Sequence, residues 1–199
     1  DPAGVMQTFL FGPFRNLRYL GNIVEMATPT MLCGLAVALM FRSGMFNLGV
    51  EGAFFLGGLA TVATALLLPL PTWVAAPVAL LVGAVIGSTV CVIPGVMRAQ
   101  FDVSELVTSL MLNFVALFVG LFILNYFLRD PTAGAMASYK IPLEAQLPRI
   151  LPGTRVHLGT VLALLACVAG AIYLFRTRGG FEARLVGSNR FFAAHLGLP

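Results

Sequence analysis

Charge is absent from long stretches of this chain. Between Glu25 and Arg42 lie 16 uncharged residues, and between Glu51 and Arg98 lie 46. Between Glu105 and Arg129 there are 23, and between Arg155 and Arg176 there are 20. A helix rises ~1.5 Å per residue, so about 20 mostly apolar residues cross the ~30 Å hydrocarbon core of a bilayer. The longest run exceeds one crossing. It is divided by Pro69-Leu70-Pro71-Thr72, a turn sequence, and then by Trp73, a residue that favours the membrane interface. The pattern predicts five spans, at about 22–41, 49–69, 73–97, 104–128 and 157–175. Strict alternation is missing, and the runs far exceed the ~10 residues of a barrel strand. The expected fold is therefore all-α, a polytopic transmembrane helix bundle.

Composition narrows the class. AVILMFWYC make up 59% of the 199 residues and DEKR 10%, with a mean hydropathy of +0.94. A globule of this size must wet its surface and has too little polar material to do so. An ordinary soluble enzyme, a disordered chain and a secreted disulfide scaffold are all excluded. Cys33, Cys91 and Cys167 lie far apart in apolar runs and read as small packing residues. His157 and His195 stand in no ligand motif, so no metal site is expected. No nucleophile–base pair and no phosphate-cradling loop is visible, so no catalytic residue is expected and no ATP site in this chain. The chain begins without Met at Asp1 and ends at Pro199, and reads as one incomplete domain, a piece of a longer protein.

The net charge of +4 comes from loop arginines; 11 of the 12 basic residues are Arg, Lys140 being the exception. Such charges suit a lipid surface, and no nucleic-acid partner is expected. Five spans put the ends on opposite sides. Arg42, Arg98, Arg176, Arg178, Arg184 and Arg190 fall on one, and Arg15, Arg18, Arg129, Lys140, Arg149 and Arg155 on the other. The counts tie, but the first set is denser, which places the 176–199 segment in the cytoplasm. The proline-bearing segment 129–156 is then an outer loop, either a docking surface or a solvated connector.

Four segments stand out. In Arg42-Ser-Gly-Met-Phe-Asn-Leu-Gly-Val-Glu-Gly52, three glycines weaken a continuous helix. Asn47 and Glu51, four apart, would share a helix face toward a polar path; alternatively, Asn47 caps a helix whose first turn holds Glu51. Gly83 and Gly87 are spaced for close helix packing, and Pro94-Gly95 is expected to end or kink that helix before Arg98. Asp102 or Ser104 can cap the next helix, with Glu105 in its first turn. Inside it Ser109 and Asn113 share a face, either to bond between helices or to line a pore, the former being the commoner fate. In the tail, Asn189 and Gly197 bracket a helix of about seven residues, too short to stand without a surface.

These segments, in this order, resemble the ATP-binding-cassette importer permeases for branched-chain amino acids, simple sugars and nucleosides. The nucleoside-type branch is the most similar. The resemblance rests on FRSGMFNLGVEG, GVMRAQFDVSELVTSLMLN and TRGGFEARLVGSNRFFAAHLG, and covers about Glu25 to Gly197. Ala53 stands where nucleoside-type members commonly have Gln, Leu185 where Ala is usual, and Arg190 where Pro is common. The resemblance implies a permease subunit of the bacterial inner membrane that moves a small polar solute, a nucleoside first, a simple sugar or branched-chain amino acid second. It implies ATPase subunits that hold the ATP and Mg, a second permease copy or paralogue, and an extracytoplasmic solute-binding protein. It makes the tail a cytoplasmic coupling helix, with that role carried to Arg184, Gly187, Asn189, Ala193, Ala194 and Gly197. Phe46, Asn47, Glu51 and Asn113 become the candidate substrate path. The competing reading from another class is an ion-coupled carrier with Glu25 and Glu51 titrating.

Overall fold

The computed structural model describes residues 5–7, 11–14, 16–68, 71–151 and 153–196, without the side chains of Pro13, Thr72, Glu144, Arg190, Phe191 and Ala194. Among the described residues seven α-helices follow a short 3-10 turn at Gly12–Phe14. They are α1 (Leu17–Arg42), α2 (Val50–Leu67), α3 (Thr72–Phe101), α4 (Glu105–Ile123), α5 (Leu158–Arg176), α6 (Arg178–Ser188) and α7 (Arg190–His195). The fold is all-α and polytopic: five helices are long and apolar enough to cross a membrane. Among the described residues the only extended pairing is two isolated bridges, Arg129 with Ser138 and Arg149 with His157.

The helices differ from expectation at their ends. α4 runs on as a π-helical turn, Leu124–Leu128, so the span ends where the apolar run ends. Pro94-Gly95 does not end α3, which continues to Phe101. A proline removes one backbone donor, but neighbouring groups in a membrane can satisfy what it frees. In the turn before Pro94, the Asn47 amide donates to the carbonyl of Cys91 at 3.0 Å. α3 stops instead at Asp102, which takes a left-handed conformation (φ 52°) with its N–H on the Arg98 carbonyl. Asp102 thus closes one helix rather than opening the next, and Ser104 precedes α4 without a side-chain cap bond. Pro69 and Leu70 of the expected turn lie outside the described residues.

Two compact units make up the chain, Val37–Gln146 with Glu182–Pro199, and Asp1–Ala36 with Leu147–Phe181. In the first, α2 packs on α3 through small residues. A Cβ on Gly57 would lie 2.8 Å from the carbonyl oxygen of Gly83, and one on Gly87 3.0 Å from that of Ala53. Lipid is as apolar as leucine, so helices in a bilayer associate by close packing rather than by burial from water. Bare backbone at these crossings is what permits the approach. α4 closes on α2 at Gly52, beside Ala116 and Asn113, and at Gly120, beside Phe55 and Leu59. The cores are correspondingly small: Ala53, Val90 and Ala116 in one cluster, Leu59, Leu124 and Leu128 in another. Large side chains such as Phe118, Tyr126 and Phe127 remain exposed, as lipid-facing groups do.

In the second unit α1 packs on the segment leading into α5. Gly21 lies against Thr154, the Thr28 and Thr160 hydroxyls share a 2.9 Å hydrogen bond, and Leu35 fills the space beside Gly170.

Candidate functional site

The chain leaves helical form between Arg42 and Val50. Gly44, at φ +74°, makes the turn, and Gly49 stands as a cap without a side chain. The first N–H groups of a helix have no partner within it. Side chains supply partners here, for the turn that leads into α2 and for Gly52 in its first turn. The Ser109 hydroxyl accepts the N–H of Leu48 at 3.0 Å, and Asn113 Oδ1 accepts that of Gly52 at 2.6 Å. Asn47 Oδ1 accepts the N–H of Gly49 at 2.8 Å while its amide nitrogen donates to α3. Asn47, Ser109 and Asn113 are 2%, 0% and 5% exposed, so these bonds are shielded from competing solvent.

Asn47 therefore does not share a helix face with Glu51, because α2 begins only at Val50. Its position is a turn before the helix, two residues ahead of the cap, with Glu51 in the first turn. Ser109 and Asn113 do share one face of α4, and that face holds the break in place. Of the four residues expected on a path, Asn47 and Asn113 come together as buried anchors of one loop. Phe46 and Glu51 are exposed, Phe46 pairing with Phe41 at 5.2 Å between ring centroids. Sequence reasoning placed Ser109 on the right face but not among the site residues; its i, i+4 spacing from Asn113 was the available signal. Ala53 lies in the core between Val90 and Ala116, and Gly87 approaches its carbonyl, which explains the small residue at this position.

Where α3 meets α4, Arg98 donates to the buried carboxylate of Glu105 at 2.9 Å. Glu105 thus holds the turn, besides lying favourably at a helix N-terminus.

The tail is two helices rather than one. α6 precedes the expected short helix, and its Gly187 sits against the Arg42–Gly44 turn: a Cβ there would lie 2.8 Å from the Gly44 nitrogen. Asn189 Oδ1 caps α7 by accepting the Phe192 N–H at 3.0 Å, and Ala193 is buried. Arg184 is partly buried on α6. Gly197 lies outside the described residues, as does the side chain of Ala194.

In the segment between α4 and α5, Asp130 Oδ1 accepts both the N–H and the hydroxyl of Thr132, at 2.8 and 2.6 Å. These bonds, the hydroxyl's first, hold its carboxyl below the usual aspartate range. Among the described residues no three His, Cys, Asp or Glu side chains group as metal ligands would. The groups that hold the helix break are amides, one hydroxyl and backbone, joined by hydrogen bonds.

Residues 19–199 match the family described as branched-chain amino acid transport system / permease component. The chain is 35% identical over 192 residues to the guanosine ABC transporter permease protein NupP of Bacillus subtilis (strain 168), covering 94% of this chain and 54% of that one. It is 35% identical to the glucose ABC transporter permease protein TsgB13 of Haloferax volcanii, covering 90% of this chain and 50% of that one. It is 28% identical to the nucleoside ABC transporter permease protein NupB of Lactococcus lactis subsp. cremoris, covering 100% and 57%. The chain spans about half the length of the curated relatives it matches. No solved structure matches.

Proposed function

The chain belongs to the branched-chain amino acid transport system / permease component family, and on that premise we propose that it is part of the permease subunit of an ATP-binding-cassette importer. The solute is small and rich in hydroxyl groups, a nucleoside before a simple sugar. The named solutes of its relatives support this class: guanosine, glucose and nucleosides each carry a sugar with neighbouring hydroxyls.

The observation that carries the mechanism is the contact between the tail and the helix break. α6 reaches the Arg42–Gly44 turn through Gly187, while Asn47, Ser109 and Asn113 hold the other end of the same loop. In this reading ATPase subunits, which hold the ATP and Mg, dock on the 176–199 segment through Arg184, Asn189, Ala193, Ala194 and Gly197. Their closure moves that segment, and the loop carrying Phe46 moves with it, together with the first turn of α2 that holds Glu51. A second permease copy or paralogue completes the path, and a solute-binding protein delivers solute to the 129–156 side. The protein resides in the inner membrane.

The test is uptake of labelled guanosine into vesicles holding the full-length permease with its ATPase subunits and binding protein. Uptake that requires internal ATP supports the reading. Uptake driven by an ion gradient without ATPase subunits would replace it with an ion-coupled carrier.

A further inference from the structure

Glu25 has no place in the mechanism above, yet its surroundings are unusual for a membrane span. At ~3.6 residues per turn, positions 21, 25, 28 and 35 of α1 form one stripe. Gly21 of that stripe lies on Thr154, Thr28 on Thr160, and Leu35 on Gly170. Glu25 is thus on the packed face, between the first two contacts, and is half-buried. Among the described residues its carboxylate has no ion-pair partner.

Two further acceptors share this turn. The Oδ1 of Asn22 is enclosed by protein and has no hydrogen-bond partner, the only such buried side-chain nitrogen or oxygen among the described residues. Pro29, four residues after Glu25, has no N–H to return to the Glu25 carbonyl. One turn of an apolar helix therefore offers a carboxylate, an amide oxygen and a carbonyl without its helical donor. Unmatched acceptors in hydrocarbon are costly, and an ionisable residue in a span faces a polar path rather than lipid.

We propose that the Asn22–Glu25 turn of α1 is a solute subsite that accepts hydrogen bonds from neighbouring hydroxyls of the transported molecule. This rests on the permease reading and adds to it the part of the solute that is recognised. A carboxylate presents two oxygens and can accept from both hydroxyls of a vicinal diol. Asn22 supplies a third acceptor. One turn on, the Thr28 hydroxyl donates to the Val24 carbonyl at 2.9 Å and shares its other bond with Thr160, so that buried pair closes the packed face beyond the subsite. Four oxygens, two from the carboxylate and one each from the Asn22 amide and the Glu25 carbonyl, fall short of the roughly six to eight that a calcium ion takes. A site built to bond a hydroxyl discriminates strongly against an analogue lacking it, because its own polar groups are then left unpaired.

The experiment compares ATP-driven uptake of guanosine and 2′,3′-dideoxyguanosine by the assembled full-length transporter. Glu25→Gln should raise KM for guanosine about tenfold and erase the preference for the diol, the fold-change expected from losing one charged hydrogen bond. Asn22→Leu should raise KM while leaving Tm unchanged or higher, since it removes an enclosed acceptor that has no partner; a merely structural asparagine would lower Tm instead. Preference for guanosine that survives Glu25→Gln overturns the proposal. So does a Glu25→Gln variant whose only change is lost dependence on a sodium or proton gradient, which would make the turn a cation site. Failure of the wild type to take up any hydroxylated probe would overturn the transport reading and this subsite together, a result distinct from normal uptake with unchanged preference.

Discussion

Gly187 and Gly44 meet backbone to backbone: a Cβ placed on Gly44 would lie 3.0 Å from the Cα of Gly187. Neither partner is a flexible side chain, so neither can yield without moving its whole segment. Gly187→Ala should push α6 off the Arg42–Gly44 turn. The expected result is a transporter that inserts, binds its ATPase subunits and hydrolyses ATP, yet takes up solute more than about tenfold more slowly, a barrier change near 1.4 kcal/mol. Gly95→Ala, at a position with no atom within 4 Å of the added carbon, is the control and should behave as wild type. Near-normal uptake by Gly187→Ala would remove the contact from the coupling mechanism.

Asn113 is the sole side-chain acceptor recorded for the Gly52 N–H. Asn113→Ala leaves that donor buried and unpaired, at a cost of about 1–3 kcal/mol. Thermal melting of the purified protein should shift down accordingly. Asn47→Ala should cost a similar amount. Because both side chains hold one loop, the double variant should lose less than the sum. Full additivity would mean that the two act on separate elements. Measured alongside, uptake by Glu51→Gln and Asn113→Ala at wild-type rate and affinity would take both residues out of the solute path.

The α2–α3 crossing gives a packing test. Gly83 lies against the Gly57 carbonyl and Thr61, with no room for a methyl group, whereas Gly58 of α2 faces open space. Gly83→Ala should therefore lower the yield of folded protein, and Gly58→Ala should be neutral or stabilising by roughly 0.5–1 kcal/mol. Equal behaviour of the two would show that the crossing tolerates separation.

Asp130 sets a pH dependence in the 129–156 loop. Its folded-state pKa is lowered, so the order it gives is present above the unfolded value and is lost as pH falls through the folded one. Thr132→Ala removes the hydroxyl donor and should raise that pKa toward the ordinary aspartate range. A chemical-shift titration of the Asp130 carboxyl would show it; an unchanged midpoint would take the hydroxyl out of the cause and leave the Thr132 backbone N–H first, with Lys140 behind it.

Much of this is legible in the sequence. The charge gaps located the five long apolar helices to within about five residues at each end, because the bilayer imposes a length that only an uncharged run can fill. Asn189 as the cap of α7 and the Gly83–Gly87 crossing were also readable, since caps and close approaches depend on local chemistry and spacing. The three motifs were legible as a family likeness, though not as a geometry. Of the two outcomes open at Pro94-Gly95, an end does not occur: the helix runs on to Phe101, and the Asn47 amide, 44 residues from its partner, bonds the Cys91 carbonyl in the turn before it. Asp102 misled because a left-handed residue that ends one helix and a cap that starts another use the same residue type.

By itself, then, the sequence determined that this chain crosses a membrane as helices and where those helices run, since hydrocarbon tolerates neither charge nor unpaired backbone. Tertiary structure decided which polar groups are consumed in holding the protein together and which remain to act. Ser109 and Asn113 are spent on backbone donors 61 residues away, and Asn47 on a neighbouring N–H and a carbonyl 44 residues away, while Asn22 and Glu25 keep acceptors without donors. Hydrogen bonds of that range are set by how helices pack, and a linear pattern carries no record of the partner.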